Sequence, residues 1–391
     1  DQDTATVMPG MNVRIGDHSR LHLDFSGRRK EQSYYFFDPG FPTYGETDVD
    51  SYSVNPRFTS QFQAAGLTHN TTVGWDLYDY RLENRSAAGK GDIGDPTSTK
   101  DLDQRQTAWY FHDVMTLDRW SFTLGARRLN VDTETETTGF SAGQGEDSQD
   151  AEMYEGGVRY HFDGGLDVFA GAQRSVRIVN ADEITPDDEL LEPQTGEQYT
   201  LGASWQKGLQ ASTLTAWQGR FDNEIVFNPY AGGFGSNVNL EDRTLRRGVS
   251  LNSRWRLDRD LTLVLNGTLQ RAEFDEGEWE GNDVPLVSRQ LFYAQANWQA
   301  LPWLELSLAH RYVGKRRFDN DQPNDFQQID SYRMTDLEAT ARYQNAYLRI
   351  GAYNLEDELA ADYGVKATNN LSYNAYPLPE RHYRVSLGME F

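Results

Sequence analysis

The chain has 391 residues, 38% of them hydrophobic, a mean hydropathy of −0.73, no cysteine and a formal charge of −23. An acidic balance of this size argues against a nucleic-acid partner, which requires a basic face. No apolar run approaches the roughly 18 residues of a membrane helix, but a transmembrane β-barrel escapes that exclusion, because only alternate residues of its strands face lipid.

In chain order, about seventeen extended segments are expected. They lie near 7–16, 20–36, 51–63, 67–84, 103–117, 120–135, 151–162, 166–178, 197–206, 209–227, 238–257, 261–274, 286–298, 303–318, 330–343, 346–361 and 377–391. Several alternate at period two, the mark of a strand between two environments. Leu21, Leu23 and Phe25 oppose His22, Asp24 and Ser26. Trp120, Phe122 and Leu124 oppose Ser121, Thr123 and Gly125, and Leu261, Leu263 and Leu265 oppose Thr262 and Asn266. At the end of the chain, Tyr383, Val385, Leu387, Met389 and Phe391 oppose Arg384, Ser386, Gly388 and Glu390. The apolar faces of 21–25, 261–265 and 383–391 are expected to meet lipid, with Asp24, Thr262, Ser386 and Glu390 pointing inward.

Short and long links alternate between these segments. Tight turns such as Ala65-Gly66, Asp118-Arg119, Lys207-Gly208 and Asp258-Arg259-Asp260 use the residues that hairpins demand. Long links near 37–50, 85–102, 140–150, 179–196, 228–237, 275–285, 319–329 and 362–376 are rich in Gly, Asp, Asn, Pro and Ser. This is the signature of an up-and-down barrel with short periplasmic turns and long extracellular loops. Trp120, Trp205, Trp255, Trp298 and Trp303 stand close to the short turns, where an aromatic girdle marks the membrane boundary.

Catalytic patterns are missing. The seven histidines are scattered without metal-ligand spacing, and no nucleophile elbow or phosphate loop is present. Neither an enzyme nor a cofactor is therefore expected. The acidic stretch Asp182-Glu183 to Asp187-Asp188-Glu189 is read as a solvated surface loop rather than a cation site. Ligand contacts are sought in the aromatic loop of Tyr34, Tyr35, Phe37, Phe41 and Tyr44. Tyr230 and Phe234 in a Gly-rich loop, and Arg316 and Arg317 at the top of another strand, are expected to converge on it. Aromatic walls with a few cations suit a planar or anionic chelate, through stacking and charge-assisted hydrogen bonds.

Six stretches over residues 177–391 resemble, in order, the barrel of TonB-dependent outer-membrane receptors. Arg177-Ile178-Val179-Asn180 through Glu183, with Leu191-Glu192-Pro193-Gln194 and Tyr199-Thr200-Leu201-Gly202, is similar to one family segment, Val179 replacing its usual proline. Asp222-Asn223-Glu224-Ile225 with Arg247-Gly248-Val249-Ser250-Leu251 resembles the next hairpin. Val284-Pro285 to Arg289, Tyr312-Val313-Gly314 and Tyr332 to Leu337 follow. Asn354-Leu355-Glu356-Asp357-Glu358 with Asp362-Tyr363-Gly364 is similar to the C-terminal box, and the strand ending at Phe391 resembles the signal read by the barrel-assembly machinery. Over 1–176 the likeness rests on architecture alone.

The expected fold class is all-β, a transmembrane antiparallel up-and-down β-barrel with about 17 of the family's roughly 22 strands, open or incomplete. Residues 1–391 would form one barrel domain, truncated at its N-terminus and without a plug domain. The first and last segments both run toward the short-turn side, so an odd number of strands, about five, is expected before residue 7. A ladder joining 7–16 to 383–391 would instead favour the alternative, a passive, substrate-selective porin of about 18 strands. The resemblance implies active uptake of a large chelate or cofactor, such as a ferric siderophore, haem or a cobalamin-like ligand, across the Gram-negative outer membrane. Its implied partners are the TonB energy-coupling complex, reached through a plug and TonB box, and outer-membrane lipid with lipopolysaccharide. A monomer is expected.

Overall fold

The structure, a computed structural model, describes residues 1–37, 42–139, 142–180, 183, 191–228, 235–367 and 372–389. It is built from strands, with a single short 3₁₀ turn at Lys90–Asp92 among the described residues. Two compact units divide the chain. The first is Asp1–Val158 with Gln173–Gly196 and Ser236–Asn239, and the second is Arg159–Ala172 with Glu197–Gly235 and Leu240–Phe391.

The first eight strands are β1 (Gln2–Val7), β2 (Gly10–Ile15), β3 (Ser19–Phe36), β4 (Thr43–Ala64), β5 (Leu67–Ala87), β6 (Ser98–Leu117), β7 (Trp120–Thr137) and β8 (Gly143–His161). They are followed by β9 (Leu166–Arg177), β10 (Gln194–Lys207), β11 (Gln210–Asp222), β12 (Ile225–Asn228), β13 (Ser236–Asn239), β14 (Thr244–Arg256), β15 (Leu261–Phe274) and β16 (Gln290–Leu301). The last eight are β17 (Leu304–Val313), β18 (Arg316–Arg317), β19 (Gln328–Ile329), β20 (Tyr332–Tyr343), β21 (Ala346–Tyr353), β22 (Ala361–Lys366), β23 (Tyr373–Pro377) and β24 (His382–Met389). Eighteen strands share one sheet, and β12–β13, β18–β19 and β22–β23 are separate hairpins. Because β1 and β2 both pair with β3, they form one interrupted strand, which leaves the seventeen positions expected from the sequence.

Register separates the two faces. In the first unit Leu21, Phe58, Val73, Phe111 and Ala126 are successive partners across β3 to β7. One residue along, the row reads His22, Arg57, Gly74, Tyr110 and Arg127. In the second unit Leu263, Ala296, Leu308, Leu337, Ala352 and Tyr383 form an apolar row from β15 to β24. The adjacent row is Thr262, Asn297, Ser307, Glu338, Gly351 and Arg384. A slip of one residue would exchange these faces, so the pairing is tightly specified. Leu263 and Leu387 are thus in phase on the apolar face, as expected, while Glu390 and Phe391 fall outside the described residues.

Several strands run longer than the sequence indicates. β4 starts at Thr43 rather than 51, and β8 at Gly143 rather than 151. At about 3.3 Å per residue, the 22 residues of β4 span roughly 70 Å, whereas crossing the hydrocarbon takes about 9–11 tilted residues. Trp75 and Trp109, direct partners with ring centroids 6.1 Å apart, stand nine residues from their short turns. That is about 30 Å along the strand, which fits an outer girdle facing the turn-side one at Trp120 and Phe122. Beyond that level both faces are wet, yet the ladder continues.

Among the described residues β1 and β2 pair with β3 alone, and β24 pairs with β21 alone. Each terminal strand therefore keeps one edge without a ladder partner there.

Candidate functional site

The polar face carries the densest chemistry. In the first unit Asp76 accepts from Arg127 Nη1 at 2.6 Å and from Asn55 Nδ2 at 2.9 Å, and Arg57 meets Asp24 at 3.4 Å. Arg127 also lies 5.5 Å from the centroid of the Tyr110 ring. That ring covers Gly74, where a Cβ would come within 2.2 Å of Tyr110 Cζ, so a side chain there would displace the ring. In the second unit Glu338 accepts from Tyr353 at 3.0 Å and pairs with Arg349 at 3.2 Å, and Gln295 donates to Ser307 at 2.9 Å. Such a wall is stable only against water or other polar protein, because unpaired groups of this kind are costly in hydrocarbon.

The aromatic residues expected to bind ligand sit on the projecting end of β3–β4. Tyr35 lies ten residues beyond Phe25, about 33 Å past the apolar band, with Arg28, Arg29 and Lys30 between them. Its height excludes the girdle role. Tyr35 faces its partner Tyr44, and its ring centroid is 6.4 Å from that of Phe37. Tyr44 is buried, donates to Glu46 at 2.9 Å and has Lys90 Nζ 6.0 Å from its ring. Tyr34 points to the opposite face, over Gly45, with its hydroxyl 3.5 Å from Ser86 Oγ. The structure therefore brings Tyr35, Phe37 and Tyr44 together and leaves Tyr34 apart. Phe41, Tyr230 and Phe234 lie outside the described residues.

Arg316 and Arg317 belong to the second unit, in a loop assembly tied from within. Arg316 is 4% exposed, and its Nη2 donates to the carbonyls of Ala361 and Asp362, both at 2.7 Å. Arg317 donates to the carbonyls of Asn324 and Phe326 at 3.1 and 3.0 Å and lies 3.6 Å from Asp321. Lys366 meets Asp325 at 3.0 Å and Asp321 at 3.7 Å. Burial pushes the Asp321 carboxyl above the usual carboxylate range, against the pull of the Phe326 N–H, Lys366 and Arg317. Phe318, Phe326 and Tyr373 pack their rings at 4.9 to 6.0 Å, and Phe318 fills the space over Gly364. A second small core of Leu240, Ala272, Phe274 and Val284 holds the neighbouring loops.

Sequence reasoning missed the β22–β23 hairpin and its outward pair, Tyr363 and Tyr376. These are direct partners with centroids 5.3 Å apart, and Tyr376 is 62% exposed. Alternation in Asp362-Tyr363-Gly364-Val365-Lys366 was the available signal. Of the acidic stretch at 182–189, only Glu183 is described, and it pairs with Arg177. Among the described residues no group of three His, Asp or Glu side chains could hold a metal ion.

One apolar and one polar face per strand, short turns at one end and projecting loops at the other define a protein of the transmembrane β-barrel class. The family described as TonB dependent receptor-like, beta-barrel, matches residues 6–355, and the chain belongs to it. Its members are Gram-negative outer-membrane transporters and receptors, not enzymes. The ferrioxamine receptor of Yersinia enterocolitica is 22% identical over 385 residues, covering 88% of this chain and 51% of that protein. The chain thus spans about half the length of this curated relative. The ferric citrate transporter FecA in its unliganded form shares the fold with a TM-score of 0.86 at 15% identity, covering all of this chain and 62% of that one. For the siderophore receptor PiuA of Acinetobacter baumannii the TM-score is 0.82 at 15% identity, over 99% of this chain and 64% of that one.

Proposed function

We propose that the chain is the barrel portion of a receptor that imports a ferric chelate across the outer membrane, driven through the TonB complex. The observation that carries this reading is the family match over residues 6–355, with a relative named for a ferric chelate aligned along most of the chain. A plug and TonB box upstream, with about five further strands, complete the picture. The edges of β1–β2 and β24 that lack a ladder partner among the described residues support it, since unpaired backbone groups cannot face hydrocarbon without a loss of roughly several kcal/mol each. Tyr35, Phe37 and Tyr44 offer ligand contacts above the membrane on one face of the β3–β4 end, and Tyr34 offers one on the other face. In the second unit Arg316 and Arg317 act as ties for their own loops. Lipopolysaccharide surrounds the barrel, the assembly machinery reads its terminal strand, and the receptor works as a monomer.

The test is uptake of radioactive iron chelates by cells carrying the complete receptor, with and without TonB. Uptake that needs TonB is expected. Uptake unchanged by loss of TonB would replace this reading with a passive porin.

A further inference from the structure

The loop assembly of the second unit has a chemistry that bears on the charge of the cargo, granted the chelate-uptake reading above. The β22–β23 hairpin is held rigidly on its inner face. Arg316 grips its first strand at Ala361 and Asp362, and Tyr332 donates to Asp362 at 2.9 Å. Asp319 adds backbone bonds at both Gly364 and Lys366, 2.9 and 3.0 Å long. Tyr363 donates to Asp319 at 2.7 Å; burial and then this bond raise its pKa, so it remains a neutral phenol. The opposite face leaves Tyr363 and Tyr376 as a preorganised aromatic pair, able to accept a ligand without ordering cost.

Charge around that pair is one-sided. Segments 315–330 and 354–381 hold nine carboxylates against five cations. Every one of those cations already has a partner. Lys315 meets Asp330, Arg317 meets Asp321, Lys366 meets Asp321 and Asp325, and Arg316 and Arg381 donate to backbone carbonyls. Nearby, Arg289 is held by both oxygens of Asp283 at 2.6 and 2.9 Å. Asp357, Asp362 and Glu380 remain exposed. A polyanionic chelate would meet more carboxylates than cations here, Lys315 and Arg381 being the exposed cations of the two segments, whereas the ring faces attract a cation or an apolar shell.

We propose that the Tyr363–Tyr376 face docks a ferric chelate of zero or positive net charge and disfavours polyanionic chelates. This departs from the anionic cargo that Arg316 and Arg317 imply when read from sequence.

The experiment titrates the complete detergent-folded receptor, by fluorescence quenching, with three probes. These are a monocationic ferric trihydroxamate, an uncharged ferric trihydroxamate and a trianionic ferric tris-catecholate. The cationic and neutral probes should bind about tenfold or more tighter than the trianion, with the gap narrowing in high salt. Tyr363→Ala with Tyr376→Ala should weaken both by about tenfold, while the paired Phe substitutions retain binding. Circular dichroism and heat-modifiable gel mobility check folding. Should the Ala pair fail to fold, Asp357→Lys with Glu380→Lys serves instead, and should raise affinity for the trianion. Tightest binding of the trianion, or affinities unmoved in the folded Tyr or charge-reversal variants, overturns the proposal while leaving chelate uptake intact. No binding of any probe would count against the uptake reading itself.

Discussion

Replacing Lys366 by Met tests whether buried charge holds the outer loops together. Lys366 is 2% exposed, and Asp321 beside it is fully buried. Without the ammonium, Asp321 keeps Arg317 at 3.6 Å and the N–H groups of Asp325 and Phe326 at 3.1 and 3.2 Å. Removing one member of a buried pair costs about 3–5 kcal/mol, and these remaining partners place the loss near the lower bound, about 3 kcal/mol. Methionine preserves most of the volume, so the effect is electrostatic. The hairpin is outside the main ladder, so the loss should appear as local opening rather than barrel unfolding. Hydrogen exchange at the amides of residues 319 and 366, which bond Gly364 and Asp319, should accelerate about a hundredfold. Adding Asp321→Asn should recover most of it. The raised pKa of Asp321 sets the pH dependence. Its stabilising contribution is complete below the ordinary carboxylate value and is lost as pH rises through the raised one. The defect in Lys366→Met should therefore shrink on acidification. Exchange within about threefold of wild type at neutral pH would refute the argument.

Three further outcomes are expected. Leu308→Arg, in the apolar row, should destabilise folding into vesicles by about 2–4 kcal/mol, whereas Ser307→Arg next to it should change little; equal penalties would contradict the face assignment. Alanine at Tyr34, Tyr35 and Phe37 should weaken chelate uptake without altering receptor abundance, and unchanged uptake would remove them from the site. Burial also pushes Glu224 above the usual range, although Arg246 stands 2.7 Å away. By the same sign, its contribution falls as pH rises through that raised value. Glu224→Gln should flatten the pH profile of loop exchange above the ordinary carboxylate range, and identical profiles would discard the assignment.

Inside the membrane the sequence alone was sufficient where the alternation is clean, though not for 209–218, whose faces it does not assign. Lipid on one side and a polar interior on the other force alternation, so Leu21-His22-Leu23 and Leu261-Thr262-Leu263 announce both strand and face. Turn residues such as Ala65-Gly66, both at positive φ, mark the hairpins for an equally local reason. Above the membrane that constraint ends. With water on both faces, the upper half of β4 and the β12–β13 hairpin carry little hydropathic period, the alternation at 362–366 is too short to place β22–β23, and only the ladder and loop packing settle them. The arginines show the same limit. In sequence Arg316 and Arg317 are two cations at a strand top, equally suited to a ligand or to the fold. The acceptors of Arg316 include the carbonyls of Ala361 and Asp362, 45 and 46 positions away, and only tertiary folding brings those carbonyls and its guanidinium together.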